Sequence, residues 1–100
     1  MRLGGVIGRV TLSKAVDSYK GGRLLVVSPF DRDHFQQGSK PIEGLSKQPS
    51  LVVYDDIGAG VGETIGFIEG REAASPFGNP TPIDAINAAL VDNIFYNPEK

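Results

Sequence analysis

The run Val53-Tyr54-Asp55-Asp56-Ile57-Gly58-Ala59-Gly60-Val61-Gly62-Glu63-Thr64-Ile65-Gly66-Phe67 constrains this chain more than any other feature, because it sets alternate glycines and acidic residues between two apolar segments. A turn of this make-up has a defined backbone path and almost no side-chain bulk. Each glycine costs about 0.5–1 kcal/mol in conformational freedom relative to alanine. A bound ligand and a neighbouring subunit are the two candidates for what offsets that cost.

The ligand reading fails on chemistry. Gly58 and Gly60 open a G-x-G-x-x-G pattern, but Glu63 stands where the third glycine belongs, and a strand-like run follows where a dinucleotide site needs a helix. No G-K-[ST] occurs in the chain, and a carboxylate beside a phosphate would repel it. A calcium loop wants oxygen ligands at alternating positions, which residues 58–62 do not offer. A carboxylate pair for acid–base work needs an enclosed pocket that separates the two pKa values. The expected role of Asp55 or Asp56 is to accept backbone N–H groups of the turn, with Glu63 paired to a base such as Arg9 or Arg71.

Composition narrows the function further. One hundred residues suit a single domain spanning 1–100, with a core small enough that barrel closure or oligomerisation would help it. Without cysteine there is no disulfide framework, thiolate nucleophile or soft-metal site. The one histidine, His34 in Asp31-Arg32-Asp33-His34-Phe35, cannot make a zinc constellation by itself and reads as a solvated loop residue. No stretch is long and apolar enough for a signal peptide or membrane helix, so the expectation is a soluble, cytoplasmic protein with no catalytic site, cofactor or metal. Residues 1–50 carry eight Lys/Arg against four Asp/Glu, and residues 51–100 carry two against eight. That +4/−6 split suits a head-to-tail oligomer as well as two solvated surfaces.

The element pattern, five strands around a small core with one helical turn, points to a small open barrel. Leu3–Leu12 reads as a first strand, bent or bulged at its glycines. Ser13–Gly22 reads as a loop or a weak helical turn, and Arg23–Pro29 as a second, strongly apolar strand. Asp31–Pro49 lacks periodicity and reads as a long excursion. Ser50–Asp55 and Glu63–Glu69 supply the third and fourth strands, expected to be antiparallel neighbours across the glycine turn. Arg71–Pro80 is a further excursion. Thr81, Pro82 and Asp84 then give the start of a short helix. Leu90–Phe95 reads as a final strand, while Ile83, Ile86, Leu90 and Ile94 also fit one long amphipathic helix. The aromatics Tyr19, Phe30, Phe35, Tyr54, Phe67, Phe77, Phe95 and Tyr96 read mostly as core packing, since basic residues are not interleaved with them as a nucleic-acid face requires.

Four segments taken together resemble the EutN/CcmL family, the vertex proteins of bacterial microcompartment shells. They are Met1-Arg2-Leu3-Gly4-Gly5-Val6-Ile7-Gly8-Arg9-Val10, Gly22-Arg23-Leu24-Leu25-Val26-Val27, Val53 through Glu63, and Pro82-Ile83-Asp84-Ala85-Ile86 running on to Val91-Asp92. The resemblance implies an all-β fold: a small five-stranded closed barrel with an oligonucleotide-binding-like topology plus one short helix. It implies a homo-pentamer at the fivefold corners of a carboxysome-like polyhedral shell in the cytoplasm, with hexameric shell proteins as partners and no nucleic acid or membrane. Hexamers tile a flat sheet, and fivefold positions close it. The subunit-interface or pore-loop candidates are Arg9, Asp55, Asp56, Gly58, Ala59, Gly60, Gly62, Glu63 and Arg71. The alternative is a small barrel of the same topology that binds nucleic acid or oligosaccharide, to be recognised by an exposed basic and aromatic stripe.

Overall fold

The structure is a computed structural model that describes residues 1–30 and 49–95. The expected excursion from Asp31 on, with His34 and Phe35, lies outside the described residues except for Pro49, and so does Tyr96. Five strands, β1 (Arg2–Val10), β2 (Arg23–Pro29), β3 (Leu51–Asp55), β4 (Thr64–Glu69) and β5 (Ala85–Val91), close into a barrel of order β1-β2-β3-β5-β4. All neighbours are antiparallel except β3 and β5, which run parallel and share one registered pair, Tyr54 opposite Ile86. Where the element pattern points to an open barrel the sheet closes, because β4 pairs with both β1 and β5, and the absence of a free sheet edge removes the main aggregation hazard of a small β protein.

Alternation along the strands decides what lies inside. Val6, Leu25, Val27, Val53, Ile65, Phe67 and Ala85 point into the barrel and form its core, with Ala59 of the glycine loop added at one end. Full burial of a side chain such as Leu25, Ile65 or Phe67 contributes about 1.5–3 kcal/mol. Close packing dictates small residues on β1. A Cβ at Gly4 would stand 2.6 Å from Val27 Cγ1 and 2.9 Å from the Ser28 carbonyl oxygen. The register of β1 on β2 slips between Val6 and Gly8, which makes Ile7 the extra residue of a bulge and bends β1 around the barrel.

A second apolar cluster lies outside the barrel wall. Tyr54, Ala73 and Ile86 are buried there beneath Tyr19, Leu24, Ile68, Phe77 and Ile83. Tyr19 belongs to a short 3-10 turn, Asp17–Tyr19, and the buried Ala73 to a second one, Gly70–Ala74. The Tyr19 hydroxyl donates to the Pro82 carbonyl and ties the first turn to the segment that leads into β5. The Tyr54 ring meets Phe77 edge-on at 4.9 Å and Tyr19 at 6.0 Å, a geometry that adds roughly 0.5–1.5 kcal/mol per pair beyond area burial.

Three expectations need correction. The helix start at Thr81, Pro82 and Asp84 does not form: the Thr81 hydroxyl donates back to the Asn79 carbonyl, and the chain enters β5 at Ala85. Helix-start chemistry lost to strand pairing, because Ala85 to Val91 can pair along the whole of β4. The final strand therefore spans Ala85–Val91 and not Leu90–Phe95, and no long helix through Ile83 and Ile94 exists. Nor are β3 and β4 neighbours: β5 lies between them, and the glycine turn is a crossing over the end of the barrel.

Candidate functional site

Strand alternation carries Asp55, at the last position of β3, to the inner side of the barrel mouth, where its exposure falls to 0%. A carboxylate without water must find donors inside the protein. Asp55 Oδ1 accepts the Ile57 backbone N–H at 3.1 Å and Asn87 Nδ2 at 2.9 Å, and Oδ2 accepts the N–H groups of Gly58 at 3.1 Å and Ala59 at 3.0 Å. Burial pushes this carboxyl group up, but the hydrogen bonds from Asn87, Ile57, Gly58 and Ala59 outweigh it and hold the pKa below the ordinary aspartate value. Asp55, and not Asp56, is thus the organiser of the turn.

The rest of the loop is tied to β1. Gly62 donates its N–H to the Val6 carbonyl and Val6 donates to the Glu63 carbonyl, each at 2.9 Å. Gly58 and Gly62 have φ of +104° and +94°, in the left-handed region that favours glycine, whereas Gly60 does not. Glu63 Oε1 accepts the Gly60 N–H at 2.6 Å. The expected pairing of Glu63 with Arg9 or Arg71 is absent among the described residues, for reasons of topology and local reach. Arg71 sits in the 3-10 turn after the far end of β4, at the opposite pole of the barrel. Arg9 is exposed near the end of β1. Ala59 plugs the barrel mouth at 0% exposure.

Chemically, this loop is a finished structure. Both oxygens of Asp55 are taken up by donors, which leaves the carboxylate poorly placed to ligate a cation or to relay a proton. Among the described residues, no group of three His, Cys, Asp or Glu side chains could hold a metal ion. Tyr54, beside the loop, has its hydroxyl pKa raised by burial and then by the charges of Asp56 and Asp55, which keeps it protonated. What the loop offers outward is a rigid ridge: Asp56, Gly58, Gly62 and Glu63 are exposed, and so are Ile57 at 45% and Val61 at 66%.

Sequence reasoning missed two residues of this pole. Asn87 joins β5 to the Asp55 carboxylate and also accepts the Ala89 N–H on Oδ1 at 3.1 Å. Its signal was present, a single polar side chain inside the apolar run Ala85-Ile86-Asn87-Ala88-Ala89-Leu90-Val91. Arg23, at the start of β2, lies with its guanidinium 3.9 Å from where a Cβ on Gly58 would stand.

Comparison with known proteins agrees with this geometry over most of the chain. The sequence pattern of the EutN/CcmL family, described as "Ethanolamine utilisation protein EutN/carboxysome", matches residues 1–92. Among solved structures, the ethanolamine utilization protein EutN from Escherichia coli is 25% identical with a TM-score of 0.76, covering 96% of this chain and 89% of that one. The GrpN pentameric microcompartment shell protein from Rhodospirillum rubrum is 29% identical with a TM-score of 0.74, covering 96% of this chain and 100% of that one. CcmL from Gloeobacter violaceus is 26% identical with a TM-score of 0.76, covering 97% of this chain and 91% of that one. No curated protein sequence matches the chain significantly.

Proposed function

The chain belongs to the EutN/CcmL family, and from that membership we propose that it is a structural shell protein: a cyclic homo-pentamer that caps the fivefold vertices of a polyhedral bacterial microcompartment in the cytoplasm. The observation that carries the reading is the loop 56–63. Its backbone is fixed from below by Asp55 and from the side by Val6, while its outer face leaves Ile57 and Val61 uncovered. A surface ordered before contact loses little entropy on association. The likeness to a pentameric shell protein over nearly the full length of both chains supports a ring of the same order. Hexameric shell proteins are the expected outer partners, because a sheet of hexamers closes only where fivefold units interrupt it.

Two arrangements favour this reading over a nucleic-acid or oligosaccharide-binding barrel and over an enzyme. Tyr54 packs against Tyr19 and Phe77 outside the barrel wall, where an oligonucleotide-binding barrel would present rings for bases. The one buried carboxylate of the loop is engaged by its own backbone and Asn87. Native mass spectrometry of the full chain at micromolar concentration tests the reading, with five chains per particle as the expected result. A monodisperse monomer would overturn it.

A further inference from the structure

We propose that an open groove at the Asp55 pole receives residues 92–95 of the next copy of this chain, with Phe95 seated in it. This rests on the ring reading above and adds the contact that would join one subunit to the next. The groove encloses about 430 Å³, within the range of roughly 300–1,000 Å³ typical of sites that hold small organic groups. Leu12, Val16 and Tyr19 give it an apolar wall, and Arg9, Lys20 and Arg23 give it a basic rim. Leu12 and Val16 are 43% and 46% exposed, an apolar pair left facing water in the single chain. Lys20 is paired with Asp17 at 3.4 Å, whereas Arg9 and Arg23 have no ion-pair partner among the described residues.

The proposed occupant is the complement of that groove. Beyond the last residue of β5, the chain continues as Asp92-Asn93-Ile94-Phe95, with Asp92 exposed and Phe95 94% exposed. An extended stretch of four residues reaches about 13 Å from Val91, which lets one carboxylate meet the basic rim while an aromatic ring enters the apolar part. The chain's own tail does not fill the groove, since Phe95 stands 94% exposed. The groove runs over the end of β1, the turn that follows it and the start of β2, while the tail leaves from the seam of β4 and β5, where Val91 pairs with Thr64. In the order β1-β2-β3-β5-β4 that seam lies across the barrel from β2, and the loop 56–63 closes the mouth between them. Two different patches of one subunit make a heterologous contact, the kind that repeats into a closed ring.

The chain has no tryptophan, so F95W places a single reporter at the tip of the tail. In a particle of five chains, confirmed by native mass spectrometry, its emission is expected to be blue-shifted and shielded from iodide. V16E in the same background is expected to return the emission to that of exposed tryptophan and to increase iodide quenching several-fold. An exposed-type spectrum in an intact ring overturns the tail contact while leaving the ring reading standing. A buried spectrum that ignores V16E places the ring elsewhere than in this groove and overturns the proposal too. Loss of the pentamer by the unaltered chain would instead overturn the ring reading itself.

Discussion

Asn87 donates its side-chain amide to Asp55 across the one parallel seam of the barrel, at 2.9 Å, in a place where neither group is accessible to water. The backbone holds β3 to β5 through a single registered pair, Tyr54 with Ile86. The side-chain bond therefore acts as a second rivet, one residue further along both strands. Because Asp55 also gathers the N–H groups of Ile57, Gly58 and Ala59, this pair couples barrel closure to the shape of the exposed loop.

Removing the Asn87 amide should therefore loosen both. N87A deprives Asp55 Oδ1 of a donor and strands the Ala89 N–H. The loss of a hydrogen bond to a buried charge costs about 1.5–3 kcal/mol. Thermal melts at matched protein concentration should show Tm lowered by at least about 6 °C. A change under 2 °C would mean that the seam is held by backbone packing alone.

The pH response of the same group has a definite sign. The folded-state pKa of Asp55 is depressed, so its contribution to stability is complete above the unfolded-state value of about 3.9 and is lost as pH falls through the lower folded value. D55N cannot accept at both oxygen positions and lacks the charge, so it should be less stable than the parent at pH 7. That gap in Tm should narrow steadily once pH drops below about 4, where Asp55 of the unfolded parent begins to take up a proton that the folded state still refuses. A gap that stays constant from pH 7 to pH 3 would show that Asp55 is not the titrating group.

The glycines of the loop should separate by backbone conformation and not by position in the motif. Gly58 and Gly62 have positive φ, and Gly60 does not. G58A and G62A should each cost roughly 1–2 kcal/mol from the left-handed backbone. G60A should cost less, since its Cβ would lie 3.3 Å from Glu63 Oε1, the movable end of a flexible side chain. Chemical denaturation of the three variants checks the order, and a G60A defect as large as that of G58A would contradict it.

How much of this was legible beforehand follows from which interactions are local. The strands Arg23–Pro29, Ser50–Asp55 and Glu63–Glu69 and the bulge in β1 announce themselves through apolar runs and glycine placement, and the structure has them close to those bounds. The resemblance to the EutN/CcmL family added the closed barrel, which the strand order has. Thr81-Pro82-Ile83-Asp84 misled because helix-start chemistry is a local preference, and pairing of Ala85–Val91 with β4 overrode it. The placement of β5 between β3 and β4 is a long-range fact that no local spacing encodes. In the candidate site, the role of Asp55 could be read from the adjacent glycines, but its partner Asn87 is 32 residues away. The pairing drawn for Glu63 with Arg9 or Arg71 ignored the nearer Gly60 N–H, which the carboxylate reaches within its own turn.

Outside the barrel, Gly22 and Tyr54 form a second coupled pair. A Cβ at Gly22 would stand 2.3 Å from both Cζ and Oη of Tyr54, well inside contact distance. G22A should cost about 1–3 kcal/mol as overpacking. Combining it with Y54L should recover part of that loss, giving a coupling energy of at least about 0.5 kcal/mol in a double-mutant cycle. Strict additivity would show that the backbone at Gly22 moves away freely.

The loop ridge itself provides the sharpest separation between folding and assembly. Ile57 and Val61 are exposed apolar side chains on a backbone held by Asp55 and Val6. In a single subunit, a charged replacement at either position touches no core group and should change stability by no more than about 0.5 kcal/mol. In a ring that covers the ridge, the same charge would be buried without a partner, which is strongly unfavourable. I57D/V61D should therefore keep the far-ultraviolet circular dichroism of the parent while native mass spectrometry shows the particle of five chains replaced by smaller species. A variant that still forms the full particle, with unchanged concentration dependence, would remove the loop 56–63 from the subunit contact and leave Asp55 as a purely internal fastening.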